Sequence, residues 1–376
     1  MFLTLQSTSL LKLTKDNQVK ALIIKNHFNY DLVKRMLRWH FNYYFRGQGM
    51  PVIAGAYITD GCNCRCLMCT IWKNKTPSIL PRNLQERSID ALARTGCYYY
   101  SVSGGEPTMV KDLPDRLAYA SRKIPYVHLV TNGLTMTVDL ARALGKSGIK
   151  EISISLDGTE DFHNAMRGLP NAFARAWNAV NLIKTHAPDL KLVVNSILTP
   201  YNLQSLKDLG EMLDSLPHVY QKYLPLSIHE FFGVQNTSSL TFEGNPASAE
   251  DMEQFLKQAR ANPRIVNSSI FLKKAALFFR NNPDVISEQK RCLYPYFGIE
   301  FDSKGYAYPC YTGFSFRDGI PPDANLEEYL RSQEYLELQK KLERCTRCRG
   351  SMMLCYYEPR LNFPLHTLLY YAIQRG

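Results

Sequence analysis

Four cysteines, Cys62, Cys64, Cys66 and Cys69, fall within eight residues, directly after an apolar run. That run, residues 52–59, reads Val-Ile-Ala-Gly-Ala-Tyr-Ile-Thr and is typical of a buried β-strand. A strand that leads into a cysteine-rich loop places those thiols at one end of a sheet. The loop constrains the chain more than any other stretch, because three neighbouring thiolates on a short loop can hold a metal centre.

The spacing of Cys62, Cys66 and Cys69 is C-x3-C-x2-C. It resembles the signature of radical S-adenosylmethionine (radical SAM) enzymes. The resemblance implies that these three thiolates hold a [4Fe–4S] cluster and that SAM binds the remaining iron. Cys64 lies outside the frame and is interpreted as a non-ligand. Zinc is the alternative, although zinc sites usually use C-x2-C pairs and this loop contains one.

A second motif, Gly104-Gly105-Glu106-Pro107, follows the next predicted strand. It matches the GGEP motif of the same family, which implies that its backbone and Glu106 bind the amino group of SAM. Glycines allow a ligand to approach the backbone closely, which suits this role. Taken alone, these four residues would be an ordinary turn.

The resemblance implies further cofactor-binding residues near later strand ends. Thr131 and Ser155 are candidates to bind the SAM ribose, and ordinary barrel turns are the alternative. Arg167 resembles an arginine that pairs with the SAM carboxylate, which a planar guanidinium suits, and a solvated surface arginine is the alternative. Asn195 is a polar residue in an apolar run and is expected to face the cofactor. No residue is assigned a catalytic role.

Five more cysteines lie between residues 292 and 355. Their spacing resembles the C-terminal SPASM module of radical SAM enzymes in its shortened twitch version, which carries an auxiliary Fe–S cluster. The resemblance implies one auxiliary [4Fe–4S] cluster, because five thiols are too few for two. Its assigned ligands are Cys292, Cys310, Cys345 and Cys348. Cys355 is a spare or competing thiol, and a zinc site on the same four ligands is the alternative.

Strand patterns alternate with helical patterns from residue 52 to about residue 232. The predicted strands are 52–58, 98–103, 126–131, 150–155, 191–198 and roughly 223–231. The predicted helices between them lie near 82–95, 112–123, 138–147, 172–187 and 202–215. This pattern indicates an α/β fold, a partial (β/α)6 TIM-like barrel, and the resemblance implies a small C-terminal cysteine-rich auxiliary-cluster module after it. Its chemistry is expected at the C-terminal ends of the strands.

The composition divides the chain into three predicted regions. Residues 1–50 form a basic helical segment, 51–245 the barrel core, and 246–376 a helical linker followed by the auxiliary-cluster module. Further helices are predicted at 31–46, 247–261 and 268–281.

The net charge of +11 is concentrated at the chain ends. Residues 1–50 hold eight Lys/Arg and two Asp, and residues 340–376 hold seven Lys/Arg and two Glu. The core between them is neutral, which disfavours nucleic acid as a partner. The predicted helix 31–46 is basic, with apolar residues at helical spacing, so it suits a peripheral membrane contact. Packing on the barrel is the alternative. The apolar residues are Val33, Met36, Leu37, Phe41, Tyr44 and Phe45.

The sequence contains no apolar run long enough to span a bilayer and no signal-peptide pattern. Ten cysteines without an export signal argue against a disulfide framework. The expected location is therefore the cytoplasm, with room for peripheral contact at the membrane.

The resemblance implies an enzyme that reductively cleaves SAM to a 5′-deoxyadenosyl radical, which abstracts a hydrogen from a substrate. A one-electron donor such as flavodoxin or ferredoxin would supply the electron. The basic, aromatic ends favour a lipid or another small-molecule biosynthetic intermediate as substrate. The alternatives are a ribosomally made peptide and a soluble alcohol that is dehydrogenated. A metal-stabilised binding protein is disfavoured, because it leaves the GGEP motif without a role.

The cysteine frame makes a first prediction. Changing Cys62, Cys66 or Cys69 to Ala should remove one cluster and abolish reductive SAM cleavage, because each supplies one thiolate ligand. Cys64→Ala should keep both clusters. Iron content and the yield of 5′-deoxyadenosine measure the outcome. Loss of the cluster in Cys64→Ala, together with its survival in Cys62→Ala, would show that the frame is wrong.

Overall fold

Eight strands form one sheet in the computed structural model, which describes residues 30–226, 244–280, 292–310, 319–345 and 352. The strands are β1 (Ile53–Tyr57), β2 (Tyr99–Ser103), β3 (Tyr126–Thr131), β4 (Glu151–Ser155), β5 (Lys191–Leu198), β6 (Val219–Pro225), β7 (Gly298–Phe301) and β8 (Ala307–Tyr308). Their order is β6-β5-β4-β3-β2-β1-β7-β8. Strands β1 to β6 run parallel, which confirms the predicted partial barrel.

Helices fill the crossovers between the strands, as the sequence patterns predict. The helices are α1 (Tyr30–Arg46), α2 (Arg82–Thr95), α3 (Leu113–Lys123), α4 (Val138–Lys146), α5 (Glu160–Arg167), α6 (Ala172–His186), α7 (Leu203–Asp214), α8 (Ala249–Ala261), α9 (Ser269–Phe279), α10 (Tyr294–Phe297), α11 (Leu326–Tyr329) and α12 (Gln333–Glu343). Helices α5, α10, α11 and α12 are additions to the predicted set. Strand β6 begins at Val219 rather than near residue 223, and residues 227–231 of the prediction lie outside the described residues.

The two faces of the sheet differ in solvent access. On β1, Ala54 and Ala56 are fully buried, whereas Ile53, Gly55 and Tyr57 on the other face keep partial exposure. Strands β2 and β6 alternate in the same way. The buried face packs in one core with apolar side chains of the helices. We call the opposite, partly solvated face the inner face, and its solvent access makes it available to ligands.

Helix α1 packs on the barrel through Trp39, whose indole N–H donates to the carbonyl of Tyr296 at 2.9 Å. Trp39 is buried and stacks on Tyr43. A buried tryptophan covers a large apolar area and finds a partner for its N–H, which fixes the side on which this helix docks. The apolar residues that the sequence pattern grouped are therefore mostly on the outside. Leu37, Phe41, Tyr44 and Phe45 are 53–78% exposed.

The C-terminal part extends the barrel sheet instead of forming a separate layer. Strand β7 pairs in parallel with β1, from Ile53 opposite Gly298 to Ala56 opposite Phe301. Strand β8 returns antiparallel to β7. The start of the cysteine-rich C-terminal part is therefore joined to the sheet beside the strand that leads into the first cysteine loop. This pairing was not predicted.

Among the described residues, the helices are all too short or too polar to cross a bilayer.

Candidate active site

The cysteine loop after β1 is held by the C-terminal end of α5. The amide of Arg65 donates to the carbonyl of Arg167, and the amide of Leu67 donates to that of Met166, both at 3.0 Å. Gly168 ends α5 in the left-handed conformation, with φ of 67°. A Cβ at Gly168 would lie 2.4 Å from the carbonyl oxygen of Arg65, so only glycine allows this close approach.

The buried Arg167 joins that helix end to a cysteine sulfur. Its Nε and Nη2 donate to the carboxylate of Asp157 at 2.7 and 3.1 Å, and its Nη1 lies 3.8 Å from Sγ of Cys66. A hydrogen bond from Cys64 and the charge of Arg167 lower the pKa of Cys66 to about 6, although burial opposes them. Burial raises the pKa of Cys69 to about 11. The environment thus favours a thiolate at Cys66.

Cys64 is buried among the predicted ligands. Its thiol hydrogen-bonds with Cys62 and Cys66, which raises the pKa of Cys64. The side-chain Nδ2 of Asn132 also donates to Sγ of Cys64 at 3.3 Å. Within the described ranges, no three His, Cys, Asp or Glu side chains are grouped as ligands of a single metal ion. A four-iron cube is larger than one ion and does not need that close grouping.

Glu106 of the GGEP motif is buried and fully engaged. Oε1 accepts hydrogen bonds from the hydroxyl of Thr131 at 2.6 Å and from the amide of Thr108 at 3.0 Å, and Oε2 accepts from the amide of Asn132 at 2.7 Å. Burial raises the pKa of Glu106, and these bonds work against the shift. The carboxylate therefore ties the end of β2 to the end of β3.

The glycines of the same motif lie against the start of the cysteine loop. The amide of Gly105 donates to the carbonyl of Thr59 at 2.6 Å, and the amide of Glu106 donates to that of Gly61 at 2.8 Å. A Cβ at Gly104 would lie 2.3 Å from the oxygen of Thr59. Pro107 then begins a short 3-10 turn. The structure thus brings the GGEP motif and the cysteine loop together, as their positions after adjacent strands predict.

Ser155 and Asn195 face the same side, because they are register partners on β4 and β5. Lys222 on β6 is the register partner of Asn195. The Oδ1 atom of Asn195 is buried and has no hydrogen-bond partner among the described residues. A hydroxyl donor from a bound ligand would satisfy this atom, so the inner face fits a group such as the SAM ribose.

A polar network crosses the inner face nearer the N-terminal ends of the strands. The hydroxyl of Tyr99 is 2.6 Å from Nδ1 of His128, and Nε2 of His128 is 2.8 Å from the hydroxyl of Ser153. Glu151 accepts from Lys191 at 2.7 Å. Burial lowers the pKa of His128 to about 4, so its ring is neutral at neutral pH. Sequence reasoning missed this network. The sequence feature that could have revealed it is a polar residue at alternate positions of strands that are otherwise apolar.

The structure describes three of the cysteines assigned to the auxiliary cluster. Cys292 donates its amide to the carbonyl of Glu343, two residues before Cys345. Cys310 and Cys292 both contact the aromatic cluster around Trp39. Cys348 and Cys355 lie outside the described residues, and the ligand set stays a prediction.

A protein-family model matches the part of the chain that holds this site. The model of the radical SAM superfamily matches residues 56–214, which contain the cysteine loop, the GGEP motif and Arg167.

Two curated relatives have related sequences. The chain is 31% identical to mycofactocin maturase MftC of Mycobacterium ulcerans (strain Agy99), over 45% of this chain and 46% of that protein. It is 26% identical to the AdoMet-dependent heme synthase of Methanosarcina barkeri (strain Fusaro / DSM 804), over 55% of this chain and 57% of that protein. The chain thus spans about half the length of the curated relatives it matches.

Solved structures share the fold over a longer stretch. SuiB of Streptococcus suis bound to S-adenosylmethionine superimposes with a TM-score of 0.62 at 16% identity, covering 93% of this chain and 82% of that chain. SuiB bound to its precursor peptide SuiA gives a TM-score of 0.59 at 15% identity, covering 88% and 77%. At this identity the likeness supports the fold alone.

The contact between α5 and the cysteine loop makes a prediction. Gly168→Ala should destabilise the protein by about 1–3 kcal/mol, because alanine is strained at a positive φ and its Cβ meets a backbone oxygen. Iron retention should also fall. Urea unfolding of the apoprotein and iron content after reconstitution measure both effects.

The matched control is Gly210→Ala, in the middle of α7, where a Cβ would meet nothing within 4 Å. It should leave iron content unchanged and stabilise the helix by up to about 1 kcal/mol. Equal iron content in both variants would contradict the role given to Gly168.

Proposed function

We propose that the chain is a radical SAM enzyme of the SPASM or twitch type, which modifies a peptide by hydrogen abstraction; the family match over residues 56–214 and the similarity to a maturase support this. The peptide alternative thus replaces the lipid or small-molecule substrate that the charged chain ends favoured. The cofactors of the family are a [4Fe–4S] cluster and SAM, and its SPASM members carry auxiliary clusters.

The residues that would hold these groups are those of the sequence motifs. Cys62, Cys66 and Cys69 would ligate the cluster beside SAM. When bound, the reduced cluster and SAM supply a 5′-deoxyadenosyl radical, which takes a hydrogen atom from the substrate. The chain itself fixes the cysteine loop on α5, holds the GGEP turn against it, and offers Ser155 and Asn195 on the inner face.

The polarity of the inner face is the observation that carries the choice of substrate. Its partly exposed positions include Ser101, Asn195 and Lys222, and Oδ1 of Asn195 has no hydrogen-bond partner among the described residues. Hydrocarbon chains leave such groups unsatisfied, which costs free energy, whereas peptide groups and polar side chains can hydrogen-bond with them. One relative is named a maturase, and the similar SuiB was solved with a precursor peptide.

Full-length chain, reconstituted without oxygen and reduced with dithionite, should cleave SAM slowly by itself and faster with a peptide substrate. The probes are synthetic peptides matching short reading frames beside the gene. Mass spectrometry should show loss of hydrogen from the peptide, and deuterium from a labelled peptide should appear in 5′-deoxyadenosine. Cleavage of SAM without deuterium transfer from these peptides would contradict the peptide assignment.

In the same experiment, Lys222→Met tests whether the inner face binds the peptide. Removing the ammonium should raise KM for the peptide about tenfold or more, because a charged hydrogen bond contributes about 1.5–3 kcal/mol. SAM cleavage without peptide should persist. The matched control, Lys207→Met, changes an exposed lysine on α7 and should behave as wild type.

A second candidate keeps the lipid substrate, and one observation favours it. Leu37, Phe41, Tyr44 and Phe45 form an exposed stripe on α1, one or two turns apart, and exposed Lys34 and Arg38 lie on the same helix. Such a surface suits an anionic membrane.

Liposome co-sedimentation tests this candidate. The chain should pellet with anionic vesicles, less as salt rises, and the pair Phe41→Ser with Phe45→Ser should abolish it. Leu277→Ser, an exposed apolar residue on α9, is the matched control. Equal pelleting with neutral and anionic vesicles, or none with either, would rule the membrane contact out.

A further inference from the structure

Arg167 has little capacity left for another carboxylate. Its side chain is buried, and Asp157, which is fully buried, takes both Nε and Nη2 in a two-pronged ion pair. This is the geometry in which an arginine binds a carboxylate most strongly. The same two N–H groups are therefore not offered to the carboxylate of SAM.

The remaining nitrogen of Arg167 points toward the cysteine loop. Nη1 lies 3.8 Å from Sγ of Cys66, a distance within the range of an N–H to sulfur hydrogen bond. Cys66 is the middle thiol of the C-x3-C-x2-C frame and is itself buried. A positive charge and a hydrogen-bond donor thus face one of the proposed cluster ligands in a site with little solvent.

Asp157 fixes the direction of this guanidinium. Its Oδ1 also accepts the amide of Ile197 on β5 at 3.0 Å, and its carbonyl accepts from the side chain of Asn202 at 2.7 Å. The carboxylate is therefore anchored to the barrel. A chain of contacts runs from β5 through Asp157 and Arg167 to the sulfur of Cys66.

We propose that Arg167 is a positioning residue that raises the reduction potential of the cluster held by Cys62, Cys66 and Cys69. The inference rests on the proposed function, because it requires that cluster. Reduction adds one negative charge to the cluster, and a cation with a hydrogen bond to a ligand sulfur stabilises the more negative state. The guanidinium thus eases electron entry before SAM takes part.

The test is a redox titration of reconstituted full-length protein without SAM, followed by electron paramagnetic resonance. SAM is added in a separate step to identify the cluster whose signal it changes, and the potential of that cluster is the one measured. In Arg167→Gln the equilibrium constant for reduction should fall at least tenfold, which lowers the potential by about 59 mV for one electron. In Arg167→Lys the same equilibrium constant should fall less, by about threefold, because one ammonium cannot both pair with Asp157 and reach Cys66.

Arg116→Gln is the matched control. Arg116 is also buried and binds Asp112, the carbonyl of Leu80 and Gln85, within α3 and its surroundings. It should lose stability and keep the wild-type potential, which separates an electrostatic effect from general loosening of the fold.

An unchanged potential in Arg167→Gln would overturn the proposal. If the potential is unchanged and the dissociation constant for SAM is higher in that variant, Arg167 instead binds the SAM carboxylate. If Arg167→Gln assembles no cluster, Arg167→Lys decides, and a wild-type potential there overturns the proposal equally. A wild-type protein that binds no SAM-sensitive cluster would instead refute the proposed function.

Discussion

The ion pair between Asp157 and Arg167 fixes the geometry of the site. The loop with the four thiols has no regular secondary structure of its own, and thiolates repel one another. The short helix α5 supplies two backbone acceptors for the loop and one cation for its middle thiol. Asp157 keeps that cation in place from the end of β4, so the cysteine loop is attached to the barrel through a buried charge pair.

The inner face of the barrel shows how a sheet can be polar without losing stability. Buried polar groups are costly when unpaired, but Tyr99, His128, Ser153, Glu151 and Lys191 are paired with one another. The apolar core lies on the opposite side, between sheet and helices. The apolar core and the polar groups that are open to ligands therefore lie on different faces of the same strands.

Sequence patterns predicted the regular parts well, for a physical reason. Strands such as β3 and β5 are long apolar runs between turn residues, and both predicted ranges match the structure. Strand β6 was placed late, because Tyr220 and Lys222 on its inner face interrupt the apolar pattern. For the same reason the polar network was missed, since periodicity reports which residues avoid water and not which polar residues share a space.

Two other features required tertiary information. The sequence left open whether the grouped apolar residues of α1 contact a membrane or pack on the barrel. The helix in fact docks through Trp39, because only the surface it packs against decides which side of a helix with two apolar sides is covered. The contact of Asp157 with Arg167 required tertiary information as well, because the sequence analysis assigned no role to Asp157 and the two residues meet only in the fold. Cys348 and Cys355 lie outside the described residues, so the auxiliary ligand set stays a prediction.

The pairing of β7 with β1 has a kinetic consequence. It joins residue 53 to residue 298, whereas β1 to β6 pair with neighbours along the chain. During synthesis, β1 therefore waits with one bare edge until most of the polypeptide has left the ribosome, and long-range pairings of this kind form slowly. An unpaired edge next to a thiol-rich loop is open to association with other nascent chains and to oxidation. Pairing with β7 ends this exposure only after residue 298 has been synthesised.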